Sequence, residues 1–290
     1  MRISVIIATK DRAALLAQAL QSLERQIGAP SFEVVVVDNG SRDDTRAVVQ
    51  AQRARDRFPL TYVFEAQPNR GKARNRGVAQ ATGYLVAFCD DDVVLPPGWL
   101  AAHEAAHTGP NLVVSGPILN VASPHDRPRP TLANYSRAFL CTCNGSLPRH
   151  GFDAVEGFDE GFDLYGWEDT ELGVRLREHG LRSAFAWDAY LWHLRPPEEA
   201  TLEVETRKAM ERARMARRFL QKSPSLRARL ATGAHPLNLL RAQMLLPDTL
   251  LALYGGLATH ERTPAALRAF ARTQFLDGMY TRELLRSLRQ

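Results

Sequence analysis

Leu85-Val86-Ala87-Phe88-Cys89 runs directly into Asp90-Asp91-Asp92, and Val93-Val94-Leu95-Pro96-Pro97 follows. A continuous apolar run of this length reads as a buried strand, here from Tyr84 to Phe88, that ends in three successive carboxylates. Three like charges at a strand end repel one another and raise each other's pKa. A hard divalent cation with oxygen ligands is the simplest way to hold them together. Side chains alternate along an extended backbone, so Asp90 and Asp92 share a face and Asp91 points elsewhere.

Upstream, the same kind of strand recurs at Ile3 to Ala8, Phe32 to Val37 and Leu60 to Phe64. Between the first two, Asp11 to Leu23 carries Leu16, Leu20 and Leu23 at helical spacing. Ser41-Arg42-Asp43-Asp44 has the form that opens a helix, so Asp43 and Asp44 read as helix-start carboxylates. Pro68 to Gly77 reads as a loop rich in Gly and Arg. Apolar strands alternating with helices predict an α/β fold whose sheet has helices on both faces. Ligands of such sheets bind beyond the carboxyl ends of the strands, which directs attention to Asp38 and to Asp90 through Asp92.

The runs Ser4-Val5-Ile6-Ile7-Ala8-Thr9-Lys10-Asp11-Arg12, Val34-Val35-Val36-Val37-Asp38-Asn39-Gly40-Ser41 and Phe88-Cys89-Asp90-Asp91-Asp92 resemble, in order and spacing, the family 2 glycosyltransferases of GT-A fold. The likeness extends over about the first 195 residues. It implies inverting transfer of a sugar from a nucleotide-diphosphate donor, leaning to UDP with GDP and dTDP open, to a hydroxyl acceptor. It also implies Mn²⁺ or Mg²⁺ as cofactor. By the same resemblance Asp38 holds the donor's base, Thr9, Asp90 and Asp91 belong to the donor site with Asp90 facing the ribose, and Asp92 binds the metal.

Asn69-Arg70-Gly71-Lys72-Ala73-Arg74-Asn75-Arg76-Gly77 resembles the family's segment ending Ala-Arg-Asn-x-Gly, about two residues shorter than its common form. Its cations can neutralise a diphosphate, and Arg74 is the residue chosen for that role. Gly157-Phe158-Asp159-Glu160 through Gly166-Trp167-Glu168-Asp169-Thr170-Glu171-Leu172 resembles the acceptor-side segment. Leu172 with Leu176, Glu171 with Arg175, and Gly180 beyond them describe a helix that Glu168 and Asp169 open. A carboxylate on the acceptor side takes the hydroxyl proton in an inverting transfer. The resemblance makes Asp169 that base and Glu168 its acceptor-orienting partner. Trp167, beside the base, is expected to stack on a sugar ring. His193 resembles the metal- or diphosphate-contacting histidine of many GT-A enzymes, and a neutral imidazole suits Mn²⁺ better than Mg²⁺.

The chain of 290 residues is 45% apolar and 24% charged, as in ordinary globular proteins, and is long enough for a GT-A domain (1–195) followed by a helical region (196–290). Pro196-Pro197 marks that boundary. From Thr201 to Gln290, 16 Lys and Arg stand against 7 Asp and Glu, an excess of +9, while the first 200 residues carry −4. Glu203 to Gln221 and Thr263 to Leu276 read as helices. The apolar stretch Thr249 to Thr259 is far short of the roughly 20 residues that cross a bilayer. The basic block is read as an acceptor or peripheral membrane surface at most, not a nucleic-acid site. With no basic-then-apolar leader at the start, the expected location is the cytoplasm, with peripheral contact at the membrane's inner face left open. Cys89, Cys141 and Cys143 form neither a disulfide framework nor a paired zinc motif.

Two rival readings remain. A sugar nucleotidyltransferase would carry a Gly-rich loop after the first strand, where Ala8-Thr9-Lys10-Asp11-Arg12 has no glycine. A nucleotide-sugar-binding protein without catalysis would lack the Glu-Asp pair or the metal aspartates.

Overall fold

The apolar strand runs are continuous because both sheet faces are covered. In a computed structural model, which describes residues 2–195, 201–245 and 247–289, Ile3, Val5, Ile7, Val34, Val36 and Leu85 pack on one face against Leu16, Leu20 and Leu23. Their alternates Ile6, Val35, Val37, Val86 and Phe88 pack on the other against Ala73, Val78, Leu172 and Leu176. Each such side chain, fully buried, contributes roughly 1.5–3 kcal/mol. The chain divides into two units, 1–163 with 168–195, and 164–167 with 196–290. That residues 164–167 join the second unit is not foreseeable from the sequence.

The first unit runs β1 (Ile3–Thr9), α1 (Ala13–Glu24), β2 (Phe32–Asp38), α2 (Thr45–Ala54), β3 (Leu60–Phe64), α3 (Arg70–Gln80), β4 (Leu85–Cys89), β5 (Val93–Val94) and α4 (Trp99–Ala106). It continues through β6 (Leu112–Ser115), β7 (Ile118–Val121), β8 (Asn144–Pro148), α5 (Arg149–Ala154), α6 (Glu168–Glu178), β9 (Arg182–Phe185) and β10 (Leu191–Leu194). Among the described residues a seven-stranded sheet has the order β3-β2-β1-β4-β8-β6-β9, and a three-stranded sheet the order β5-β10-β7. β3, β2, β1 and β4 are parallel, whereas β8 pairs antiparallel with β4. The register sets Thr9 beside Asp38.

Two local expectations are corrected. The stretch 68–77 is not a loop, because α3 begins at Arg70, capped by the Asn69 side chain, which accepts from the Lys72 amide at 2.9 Å. Its glycines serve close packing, since a Cβ at Gly77 would stand 2.6 Å from Ile6 Cγ2. That contact justifies a residue that costs a helix about 1 kcal/mol. Nor does Ser41 open a helix, as α2 starts at Thr45. Ser41 Oγ instead accepts from the Asp11 amide, and Asp43 accepts from the amides of Ala13 and Thr45. Asp11 adopts φ +54°, and its carboxylate accepts from the Arg42 amide at 2.7 Å. These bonds lace together the loops that follow β1 and β2.

The second unit is helical: α7 (Leu202–Lys222), α8 (Leu226–Thr232), α9 (Pro236–Leu245), α10 (Asp248–Thr259) and α11 (Ala265–Arg289). The last is longer than the sequence pattern suggested. Part of the basic excess is used internally, Arg214 on Glu283 at 2.6 Å and Arg272 on Glu205 at 2.7 Å. Among the described residues no helix is long and apolar enough to cross a membrane. The Pro196-Pro197 break lies outside the described residues.

Candidate active site

The carboxylates converge because β1, β2 and β4 end on the same edge of the sheet. Asp38 closes β2, where its Oδ1 accepts from the Ser41 amide and its Oδ2 from the Tyr62 hydroxyl, both at 2.7 Å. Burial and then the bond to Asp38 push the Tyr62 phenol up to about 12. The Asp38 carboxylate is thus fixed by two donors.

Asp91 and Thr9, expected among the donor contacts, are instead closed against each other. The Thr9 hydroxyl donates to Asp91 Oδ2 at 2.6 Å, and both residues are buried. Arg12 Nη1 bridges Asp91 at 3.1 Å and Asp92 at 2.9 Å. Burial, reinforced by Asp92 and Asp90, pushes the Asp91 carboxyl up to about 6 in spite of Arg12. This pair props the strand ends.

Asp91 and Asp92 lie in a turn and both reach Arg12, so the alternation expected of an extended strand does not set Asp91 apart from Asp92. Arg74, on the buried face of α3, reaches Asp90 Oδ1 with Nη2 at 3.2 Å and lies 3.8 Å from Glu168 Oε1 with Nη1. Lys72 and Arg76 do not share that position, because both are drawn to the buried Glu65, at 3.3 and 2.7 Å. Of Lys72, Arg74 and Arg76, Arg74 is the one that stands among the site carboxylates.

Glu168 and Asp169 open α6, as the spacing predicts, and Arg175 forms two bonds to Glu171, at 2.8 and 2.6 Å. Asn75 ties the preceding loop to α3, donating to the Phe158 carbonyl and accepting from the Phe158 amide. Burial first, then the Glu168 carboxylate, pushes Asp169 up to about 6, and Arg74 opposes the rise. Asp169 therefore does not titrate as an ordinary carboxylate. It stays mainly ionised at neutral pH, with its proton affinity raised toward a value useful to a general base.

Trp167 is a correction. It is 6% exposed, its Nε1 donates to the Arg212 carbonyl at 2.9 Å, Phe219 stacks on it with ring centroids 5.5 Å apart, and the Arg212 guanidinium lies 4.7 Å from its ring centroid. The ring is committed to packing within the second unit and offers no platform for a sugar.

Residues 4–154, more than half of the chain, match the profile of Glycosyl transferase family 2. The chain belongs to that family. Residues 130–214 also match the N-terminal domain of galactosyltransferase. The family 2 chain is 33% identical over 268 residues to the validoxylamine A glucosyltransferase of Streptomyces hygroscopicus subsp. limoneus, spanning 77% of this chain and 57% of the relative. The same enzyme from subsp. jinggangensis (strain 5008) gives 33% identity, 77% of this chain and 61% of the relative. The chain thus spans about three fifths of the length of these relatives.

Two solved structures share its GT-A fold. The mannosyltransferase PcManGT from Pyrobaculum calidifontis, in complex with GDP-Man and Mn²⁺, superimposes with a TM-score of 0.68 at 21% identity, covering 98% of this chain and 87% of that one. TarS 1-349 from S. aureus, in complex with UDP-GlcNAc, gives a TM-score of 0.57 at 21% identity, covering 100% and 92%.

The family 2 chain has side chains that fit a divalent cation. Asp92 is 5% exposed, and no donor is aligned with its Oδ1, although His193 Nε2 lies 3.2 Å away. His193 Nδ1 stands 2.9 Å from Asn120 Oδ1 and so carries the proton of that bond. Nε2 then either bears a second proton or faces a carboxylate with its lone pair, an arrangement that a cation resolves. Burial alone would raise Asp92, but His193 and Arg12 outweigh it and hold the carboxyl below its ordinary value.

Sequence reasoning missed two partners of this site. Asn120 and Cys143 arrive through strand pairings with β10 and β4 that no local pattern announces.

Proposed function

We propose that this chain transfers a sugar, glucose being the first to test, from a nucleotide-diphosphate donor to a hydroxyl acceptor, with inversion and with a divalent metal. The observation that carries the reading is Arg74, which joins Asp90 on the donor side to Glu168 beside Asp169 on the acceptor side. Asp38 contributes to base recognition, Asp90 and Arg74 to the ribose and diphosphate, and Thr9 and Asp91 brace them. Asp92 and His193 would hold Mn²⁺ or Mg²⁺, which supplies charge neutralisation for the diphosphate leaving group. Glu168 orients the acceptor and Asp169 takes its proton as the oxygen attacks the anomeric carbon.

UDP, GDP and dTDP each titrated calorimetrically with Mn²⁺ and with EDTA test the donor half. One of them should bind with the metal and lose most of its affinity without it, because the carboxylates and the diphosphate otherwise repel. Equal affinity in EDTA would remove the metal. NMR of the product from the accepted donor should show the inverted anomer.

The second unit supports peripheral contact with an anionic bilayer. α8 buries Ala228 and Thr232 while exposing Leu226 (71%) and Leu230, flanked by exposed Arg227 and Arg229. α9 buries Ala242 and exposes Leu237 (77%), Leu240 and Met244. Leucines outward and alanines inward invert the pattern of a water-facing helix, and the basic surroundings select a negative surface. The chain should sediment with phosphatidylcholine vesicles containing phosphatidylserine and not with phosphatidylcholine alone, and Leu230→Glu with Leu237→Glu should abolish this. Concentration-dependent dimers without vesicle binding would make the face a contact between copies instead.

A further inference from the structure

β4 pairs antiparallel with β8, Cys89 opposite Asn144, so the next residues outward, Asp90 and Cys143, emerge side by side at the strand ends. β10 sets His193 opposite Val93. As a result one ligand atom from each of Asp90, Cys143 and His193 lies within 4.8 Å of the others. Three atoms bonded to one ion at about 2.0–2.3 Å stand roughly 3.3–4.0 Å apart, so each atom of the group needs to move by less than about 1 Å to share a cation. A separate observation points to the same spot. The buried Asp92 Oδ1 has no aligned donor and is 3.2 Å from the same His193 Nε2.

Cys143 also touches the core beside β4. A small apolar side chain would serve there equally well. Filling that space does not account for a sulfur beside a carboxylate and an imidazole.

We propose that Cys143 is a ligand of the site's divalent cation, adding a sulfur donor to the carboxylate and imidazole set and turning its preference from Mg²⁺ toward Mn²⁺, Co²⁺ and Zn²⁺. As the metal–sulfur bond forms, the thiol proton passes to solvent. Sulfur favours the softer first-row ions, and Mg²⁺ keeps to oxygen. The inference rests on the reading that this site holds a cation at all.

Cobalt reports both points separately. Co²⁺ added to the full chain with the accepted nucleoside diphosphate should give visible d–d bands, which show the ion in a protein site, and a sulfur-to-cobalt charge-transfer band in the near ultraviolet. Cys143→Ser, which nearly keeps the shape, should keep the visible bands and lose the near-ultraviolet band, and Cys143→Ala, which removes the side-chain donor altogether, should do the same. Cys141→Ser should keep both, and Mg²⁺ should displace Co²⁺ more readily from Cys143→Ser than from the parent. Visible bands without charge transfer in the parent, or charge transfer that survives in Cys143→Ser, would overturn the sulfur ligand and leave the cation reading standing. Absence of both sets of bands would overturn the two together.

Discussion

Asp169→Asn should lower kcat by roughly 10²–10⁴, the usual contribution of a general base, while leaving nucleotide affinity close to that of the parent. Asn preserves the shape of the side chain and its bond from the Thr170 amide, so a loss in rate reports the missing proton acceptor. The parent's rate should fall on the acid side of about 6, where burial and Glu168 place the Asp169 titration. Below that value the base is protonated and idle, and above it the base is ionised and active. In Asp169→Asn this limb should be absent from the residual rate. Glu168→Gln should act more on the acceptor KM than on kcat. Near-parental turnover by Asp169→Asn, or a product with retained configuration, would remove Asp169 from the chemistry and reopen the choice among Asp159, Asp163 and Glu168.

The parallel half of the sheet was legible because a strand buried on both faces must be apolar at every position, as Val34 to Val37 are. The carboxylates were legible because such strands have no other use for charge at their ends. Glu168 and Asp169 could be placed on a helix from Leu172, Leu176, Arg175 and Gly180 alone. Residues whose roles come from tertiary neighbours were not legible. Gly71 and Gly77 suggested a loop, but Gly77 exists for the approach of α3 to Ile6. Trp167 beside the proposed base suggested a sugar platform, and only Phe219 and Arg212, some fifty residues away in sequence, reveal its packing role. The second, three-stranded sheet rests on pairs as distant as His193 and Val93. Short strands of two to four residues carry too little periodicity to signal such pairings.

Arg74→Met should cost activity in a way that depends on pH. The side chain is 8% exposed and is the cation that Asp90 and Glu168 share. Its charge also works against the upward shift of Asp169. An opposite charge close to a carboxyl lowers it by roughly 1–3 units, so removing Arg74 should raise Asp169. The sign follows directly: a higher pKa means that the base is protonated over more of the pH range, and the acid limb of kcat moves upward. A limb near 6 in the parent should move to about 7 or higher, so that at neutral pH much of the enzyme is idle and activity recovers as the medium is made more alkaline. Weaker nucleotide binding should accompany this, because Arg74 is the cation proposed to meet the diphosphate. Removing one partner of a buried ion pair can cost about 3–5 kcal/mol of stability, so thermal unfolding must be followed in parallel. Arg74→Lys is the companion variant. It keeps the charge and gives up the two-pronged reach, so its acid limb should stay near the parental position even where its rate falls. If Arg74→Met is folded and its rate is reduced equally at every pH, Arg74 serves the donor alone, and the electrostatic link from Asp90 through Arg74 to Asp169 is lost.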